Sequence, residues 1–342
     1  MKLLYNVYEF DDVMIKPIQS DINSRCNVTL VREFEFDGQN GEKIKWRGVP
    51  IIASNMDTIG TFRVHSELSK YNLLTALSKH YTVEDYKSNE RLLHKDYFMV
   101  TTGISDNDYN NLIDIVEYTD CKWICIDVAN GYISSFFEYC CKVRNRFPDK
   151  IIVAGNVCTS ELTRKLLCAG INIVKVGIGS GMSCLTRKQT GVGIPQLSAV
   201  FDCSREGCIV SDGGIKSPGD VVKALGGGAD FVMIGGYFSG HDENSGINIE
   251  DWVPDATADN KKVLQKYQQF YGMSSRYAME KHGGGSIADY RCPEGAVLNM
   301  PYKGVIEDTV KELLGGIRSA CTYVNASTIG ELKNNVEFVY KF

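Results

Sequence analysis

The chain has 342 residues, 44% of them hydrophobic and 23% charged, with a formal net charge of -5. That is the composition of a soluble globular protein with enough apolar residues for a large core. Its mild acidity argues against a surface for nucleic acid or an anionic membrane, since either needs a basic field. No stretch approaches the ~20 apolar residues of a membrane span. The opening segment MKLLYNVYEFDDVMIKP has acidic residues where a signal peptide keeps its apolar segment, so the expected compartment is the cytoplasm.

Residues 1 to 49 read as an N-terminal extension. From residue 50 onward, apolar runs of strand length alternate with amphipathic stretches of helix length. The runs are VPIIAS (49 to 54), LLTALS (73 to 78), YFMVTTGI (97 to 104), WICIDVA (123 to 129), KIIVAGNV (150 to 157), INIVKVGIG (171 to 179), CIVSDGG (208 to 214) and ADFVMIGG (229 to 236). Helix patterns lie between them, such as TVEDYKSNERLL opened by Thr82 and TSELTRKLLCAG closed by Gly170. Strands apolar throughout, each followed by a helix, imply a parallel sheet covered on its outside. Eight such units predict an α/β protein of the (β/α)8 TIM barrel class in one domain, with an open doubly wound sheet as the alternative. Residues 237 to 306 form a polar insertion after the eighth strand, with GHDENSG and HGGGS, before the helical pattern EDTVKELLGG. An insertion of that length at that place reads as an active-site flap.

In such a barrel the chemistry sits at the C-terminal ends of the strands. The ends predicted here deliver Ser54, Asn55 and Asp57; Lys79; Asp127 and Asn130; Asn156; the loop around Cys184; Ser211, Asp212, Gly213 and Gly214; and Gly235 and Gly236. Each alone is an ordinary cap or turn residue; together at one rim they describe a site. Loops seven and eight of such barrels often bind phosphate through backbone N–H groups aided by a following helix terminus. The two glycine pairs therefore suggest a phosphate-bearing substrate. Asp212 would repel phosphate and is better suited to accept hydrogen bonds from ribose hydroxyls. GIGSG is only a partial dinucleotide fingerprint, because Met182 stands where the last glycine belongs.

The twelve cysteines form no CxxC pair, and the five histidines no HxxxH or HExxH, so neither a zinc site nor a secreted disulfide framework is expected. Cys184 stands apart from the other cysteines. It follows strand six at the rim in a loop of glycine and serine, with Thr186 two residues on and Lys175, Arg187 and Lys188 near in sequence. Cationic neighbours and loop amides favour a thiolate, the nucleophilic form. No histidine adjoins it in sequence, so a Cys/His protease pairing is unsupported.

The chain resembles the family of IMP dehydrogenases and GMP reductases, and within it the reductase branch, over nearly its whole length. The likeness rests on SNMDT (54 to 58), KHY (79 to 81), DVANGY (127 to 132), AGNV (154 to 157), CLTRKQTGVGIPQLSA (184 to 199), SDGG (211 to 214), PGDVVKALGGGADFVMIGG (218 to 236), FYGMSS (270 to 275), DYR with EG (289 to 295), PYKG (301 to 304) and LLGGIRSACTY (313 to 323). It implies a cysteine that attacks C2 of the purine ring of GMP, a covalent thioimidate, loss of ammonia, and hydride delivery from NADPH to yield IMP.

Position by position, the resemblance implies Cys184 as nucleophile, with Thr186 and Glu294 handling the protons of the leaving ammonia. Asp212, Gly213, Gly214, Gly235, Gly236, Gly272, Met273, Ser274 and Arg291 would hold GMP. Ser24, Arg25, Lys79, Asp127, Val128, Ala129, Tyr290, Ser319, Ala320, Cys321 and Thr322 would line the NADPH path. Backbone carbonyls of Gly179, Gly181 and Cys184 match a monovalent-cation (K+) loop, and a homotetramer is implied.

One departure stands out. The family usually reads Gly-Pro-Gly-Ser before the residue preceding the cysteine, and here Gly179-Ser180-Gly181-Met182 stands. A thioether cannot donate the hydrogen bond that a serine gives a phosphate. An IMP dehydrogenase shares nucleophile and barrel but usually carries a regulatory module between strands two and three, where this chain has only the short stretch from Lys79 to Tyr97. A nucleotide-sensing barrel without turnover and, more distantly, a flavin-dependent oxidase complete the alternatives.

Overall fold

The computed structural model describes residues 7–39, 41–254, 262–282 and 292–341. Eight strands form the barrel: β1 (Lys43–Ala53), β2 (Leu73–Leu77), β3 (Phe98–Thr102), β4 (Trp123–Asp127), β5 (Ile151–Val157), β6 (Ile173–Val176), β7 (Ile209–Asp212) and β8 (Phe231–Ile234). Each pairs in parallel with the next. The sheet closes because β8 also pairs with β1, Val232 opposite Ile51 and Ile234 opposite Ala53. The expected (β/α)8 barrel is therefore the observed fold, and the open sheet is excluded.

The outer helices are α1 (Phe62–Ser69), α2 (Val83–Ser88), α3 (Asp106–Thr119), α4 (Ser134–Arg146), α5 (Ser160–Cys168), α6 (Gln196–Cys203), α7 (Pro218–Gly226) and α8 (Ile306–Tyr323). Thr82 caps α2 in a reciprocal box with Asp85, which satisfies backbone donors that the first turn leaves open. Strand side chains such as Ile52, Leu74, Ile124, Val153, Val174 and Val232 are wholly buried, the pattern of a sheet covered on both faces.

Two regions differ from expectation. The first strand begins at Lys43 rather than near residue 49, because KIKWRGV alternates polar and apolar residues and pairs antiparallel with Arg32–Asp37. This hairpin closes one end of the barrel with Phe34, Phe36 and Trp46 packed on Trp123 and Phe231. The segment after β8 is more than a loop. It contains a three-stranded antiparallel sheet of Asn248–Pro254, Lys262–Tyr271 and Val297–Pro301, with the helix Arg276–His282 between the second and third strands. Its alternating strands INIEDWVP and KVLQKYQQFY carry the period-2 signal of a half-exposed sheet. Among the described residues no helix is long and apolar enough to cross a membrane.

Candidate active site

At the C-terminal rim lies a cavity of about 570 Å3, within the range that holds small-molecule ligands. Cys184, Thr186 and Glu294 line it, as do Asp212, Gly213, Gly214, Gly235, Gly236, Gly272, Met273 and Ser274. So do Lys79, Asp127, Val128 and Ala129, together with Gly179 and Gly181 of the expected cation loop. Residues from all eight strand ends and the insertion thus meet at one place.

The cysteine loop is held by backbone bonds to the insertion. Leu185 donates N–H to the Glu294 carbonyl at 2.7 Å, and Ala296 to the Ser183 carbonyl at 2.7 Å. Cys184 also pairs with Gly295 as an isolated antiparallel bridge. This pairing brings Glu294 to Cys184 across 110 residues of chain. The side chains form a directed series: the Cys184 thiol donates to Thr186 Oγ1 at 3.3 Å, and that hydroxyl donates to Glu294 Oε2 at 2.7 Å. A proton leaving sulfur has a path to a carboxylate, and the same path runs back.

Two of the three expected cations do not serve the thiol. Lys175 is committed to Asp127 and Asp212. Arg187 is tied to Glu9 and to the carbonyls of Ile178 and Ile194. Proximity in sequence misled here because Lys175 lies inside a barrel strand and Arg187 turns back under its own loop.

Gly213 has φ of +89°, and a Cβ there would lie 2.5 Å from Ser180 Oγ, so only glycine suits both the backbone and the space. Met182 lies over the other pair, since a Cβ on Gly236 would sit 2.8 Å from its Sδ. At the start of α7, behind loop seven, Ser217 Oγ accepts the Asp220 N–H, and Asp220 accepts the Lys216 N–H at 3.0 Å. Asp127 sits among opposing influences: burial pushes its carboxyl up, but the Lys175 ammonium, a bond from Asn55 and the Lys79 charge hold it below the usual carboxylate range.

Several expected residues fall elsewhere. Asp57 does not line the cavity; it is 7% exposed and accepts from Tyr271 (2.7 Å), Lys281 (3.0 Å) and His282 (2.8 Å), all of the insertion. His80 stacks on His282 with ring centroids 3.5 Å apart. Burial pushes the Asp57 carboxyl up, but the three donors prevail and hold it below the usual range. Asn130 is a turn residue that accepts the Tyr132 N–H. Ser24, Arg25, Ser319, Ala320, Cys321 and Thr322 do not line the cavity; Arg25 begins a short turn packed against α8, and Cys321 is fully buried beneath it. The Cys321 side chain is therefore closed to a ligand. Tyr290 and Arg291 lie outside the described residues.

Sequence reading missed the loop after β3, where Gly103, Ile104, Ser105 and Asp108 line the cavity, and the Asp57 cluster. A lysine inside the apolar run INIVKVGIG was the available signal for the ion network, since an unpaired charge is not buried.

The rim of the barrel thus holds a cysteine, a hydroxyl and a carboxylate in series beside two glycine pairs. The match to a family model covers residues 7–341 and is described as "IMP dehydrogenase / GMP reductase domain". The chain is 48% identical over 344 residues to a GMP reductase of Onchocerca volvulus, covering 97% of this chain and 90% of that one. It is 46% identical to GMP reductases of Photobacterium profundum (96% of this chain, 93% of that one) and Caenorhabditis elegans (97% and 91%). The chain belongs to the IMP dehydrogenase / GMP reductase family and is an oxidoreductase.

Proposed function

We propose that the protein is a GMP reductase, converting GMP to IMP and ammonia with NADPH. The observation that carries this reading is the directed series from Cys184 through Thr186 to Glu294, reached in a cavity whose glycine loops suit a nucleotide phosphate. The near-full-length likeness to GMP reductases supports the reductase over the dehydrogenase, as does the short segment between β2 and β3, which holds only α2 and one further turn.

The Cys184 proton passes through Thr186 to Glu294, and sulfur adds to purine C2. Glu294 then returns a proton through Thr186 to the departing 2-amino group, which leaves as ammonia, and a thioimidate remains. NADPH, when bound, supplies the hydride that reaches C2. Sulfur leaves as C2 becomes C–H, giving IMP. Asp212 accepts the ribose hydroxyls, and the Gly213, Gly214, Gly235 and Gly236 backbones take the phosphate. Lys79, Asp127, Val128 and Ala129 extend the cavity beside this place, which fits a cofactor lying against the purine.

The carbonyls of Gly179, Gly181 and Cys184 are neutral hard oxygens of the kind an alkali cation takes. The Gly181 carbonyl accepts the Cys184 N–H at 3.0 Å, so a K+ ion there would share it. The patch of Ser24, Arg25 and Ser319 to Thr322 is separate from the cavity of its own chain, and a homotetramer would give it a neighbour's cavity to complete. The deciding assay mixes purified protein with GMP and NADPH. Loss of cofactor absorbance with formation of IMP and ammonia supports the reading. Inertness toward GMP, with NADH formed from IMP and NAD, assigns the dehydrogenase instead.

A further inference from the structure

Among the described residues Lys175 is the buried cation of the rim, its side chain 1% exposed. Its ammonium lies 2.7 Å from Asp127 Oδ1 and 3.0 Å from Asp212 Oδ2, with Met233 Sδ at 3.6 Å. Strand register builds the arrangement. Asp127 pairs with Gly155, and Gly155 with Lys175, across β4, β5 and β6. Glycine is required in the middle, because a Cβ there would stand 2.5 Å from that of Lys175. On the far side, Asp212 ends β7, and its Oδ2 also accepts from Asn156 at 2.9 Å. Oδ1 of Asp212 has no hydrogen bond among the described residues, and both carboxylates reach the cavity.

We propose that Lys175 is a positioning residue that presets Asp212 for the substrate ribose and Asp127 for the cofactor, so that both subsites depend on one buried ammonium. The proposal rests on the reading of Asp212 and Asp127 given above. A carboxylate that accepts two ribose hydroxyls must present its free oxygen at a fixed angle. Lys175 and Asn156 fix that angle by holding the other oxygen. Without the ammonium, two carboxylates would share a buried rim with only the more exposed Lys79 nearby, and each would turn toward water. Burial works against the charge on Lys175, yet Asp127 and Asp212 hold its ammonium well above the ordinary lysine range.

The test compares affinities of GMP and 2′-deoxyGMP for the full-length enzyme by calorimetry, and of NADPH by fluorescence. Lys175→Met should lose roughly tenfold or more in GMP affinity, a charged hydrogen bond's worth. It should lose far less for 2′-deoxyGMP, so that discrimination between the two falls toward one. NADPH affinity should fall with it. A lysine that merely stabilises the fold would weaken both nucleotides alike or neither, and either result overturns the proposal. If Lys175→Met does not fold, Lys175→Arg is measured by the same ratio, which should again fall because a planar fork cannot meet both oxygens from the same point. Asp212→Asn distinguishes the underlying reading: if it leaves the ratio of the wild-type enzyme intact, Asp212 does not hold the ribose and the failure lies there.

Discussion

The barrel rim and the insertion meet at Cys184 but are held in place by different means. On the rim, Asp127, Lys175 and Asp212 are fixed by strand register, and their environment is set as soon as the barrel closes. The insertion is attached by backbone bonds to the Ser183–Leu185 segment, by the Asp57 carboxylate that gathers Tyr271, Lys281 and His282, by Ser245 bonds to the Asp57 and Thr58 carbonyls, and by Phe238 and Phe270 buried in the barrel core. The difference teaches a division of labour. The groups proposed to hold ribose and phosphate sit on the barrel, while Glu294, the proposed end of the proton path, arrives on the insertion together with Gly272, Met273 and Ser274.

Removing the proposed nucleophile separates grip from chemistry most sharply. Cys184→Ala should bind GMP nearly as wild type, since phosphate and ribose contacts lie on the rim, and should lose turnover by several orders of magnitude. Calorimetry and a cofactor-absorbance assay on the same sample check this. Near-normal turnover would end the covalent mechanism for this protein.

The next effect belongs to the insertion alone. Glu294→Gln keeps the shape but cannot store a proton, and turnover should fall by about 10²- to 10⁴-fold, with Thr186→Ala close behind. Mixing IMP with NADP and following NADPH formation isolates the hydride step. That step should be less affected than ammonia release, and equal slowing would break the proposed division.

The barrel was legible in the sequence because eight apolar runs and their helix caps obey strong local rules. Cys184, Asp212 and the glycine pairs followed from their places at strand ends. The insertion was read as a polar flap and not as a sheet, because half of its strand residues face outward and its last strand, Val297–Pro301, pairs with Lys262–Tyr271 only across an intervening helix, a contact no local pattern marks. The Asp57 cluster was hidden for the same reason, as its partners lie more than 210 residues away. Lys175 was seen and misassigned, since sequence order placed it near the thiol and register placed it between two carboxylates.

Asp57 therefore offers a way to disturb the insertion without touching the rim. Asp57→Asn loses the charge that Lys281 and His282 share and should let Glu294 shift relative to Thr186. A displacement of that kind costs roughly 10- to 100-fold in turnover. GMP affinity should fall less than turnover, because Asp212 and the glycine pairs of the barrel keep their places and only Gly272, Met273 and Ser274 move with the insertion. A large loss of affinity with turnover preserved would reverse the assignment of the two regions.

Acid should also probe both regions through one buried histidine in each. His65 of α1 and His241 at the root of the insertion are fully buried, each with one ring nitrogen unpartnered. Burial, aided by His94 for one and Lys303 for the other, pushes both down to about 4. The unfolded chain takes up these protons below about pH 6.5, while the folded protein resists until about 4. Stability is therefore complete above pH 6.5 and falls as pH drops through the window to 4. Urea midpoints between pH 7 and 4.5 should show this slope, and His241→Asn should lessen it by one proton. An unchanged slope would mean that His241 is already protonated in the folded state.

The smallest effect returns to Met182, where rim and departure from family pattern coincide. Its side chain is 43% exposed and lies over Gly236, so it covers part of the glycine cradle and offers the phosphate no donor. Met182→Ser would uncover that backbone and supply a hydroxyl. One net hydrogen bond is worth about 0.5 to 1.5 kcal/mol, roughly two- to tenfold in binding. The contact would exist in ground and transition states alike, so the KM for GMP should fall by that factor with kcat nearly unchanged. The adjoining Ser183 is 5% exposed and lines the cavity. An unmoved KM would show that Ser183 or the glycine amides already satisfy the phosphate, and Ser183→Ala in the same assay should then raise it.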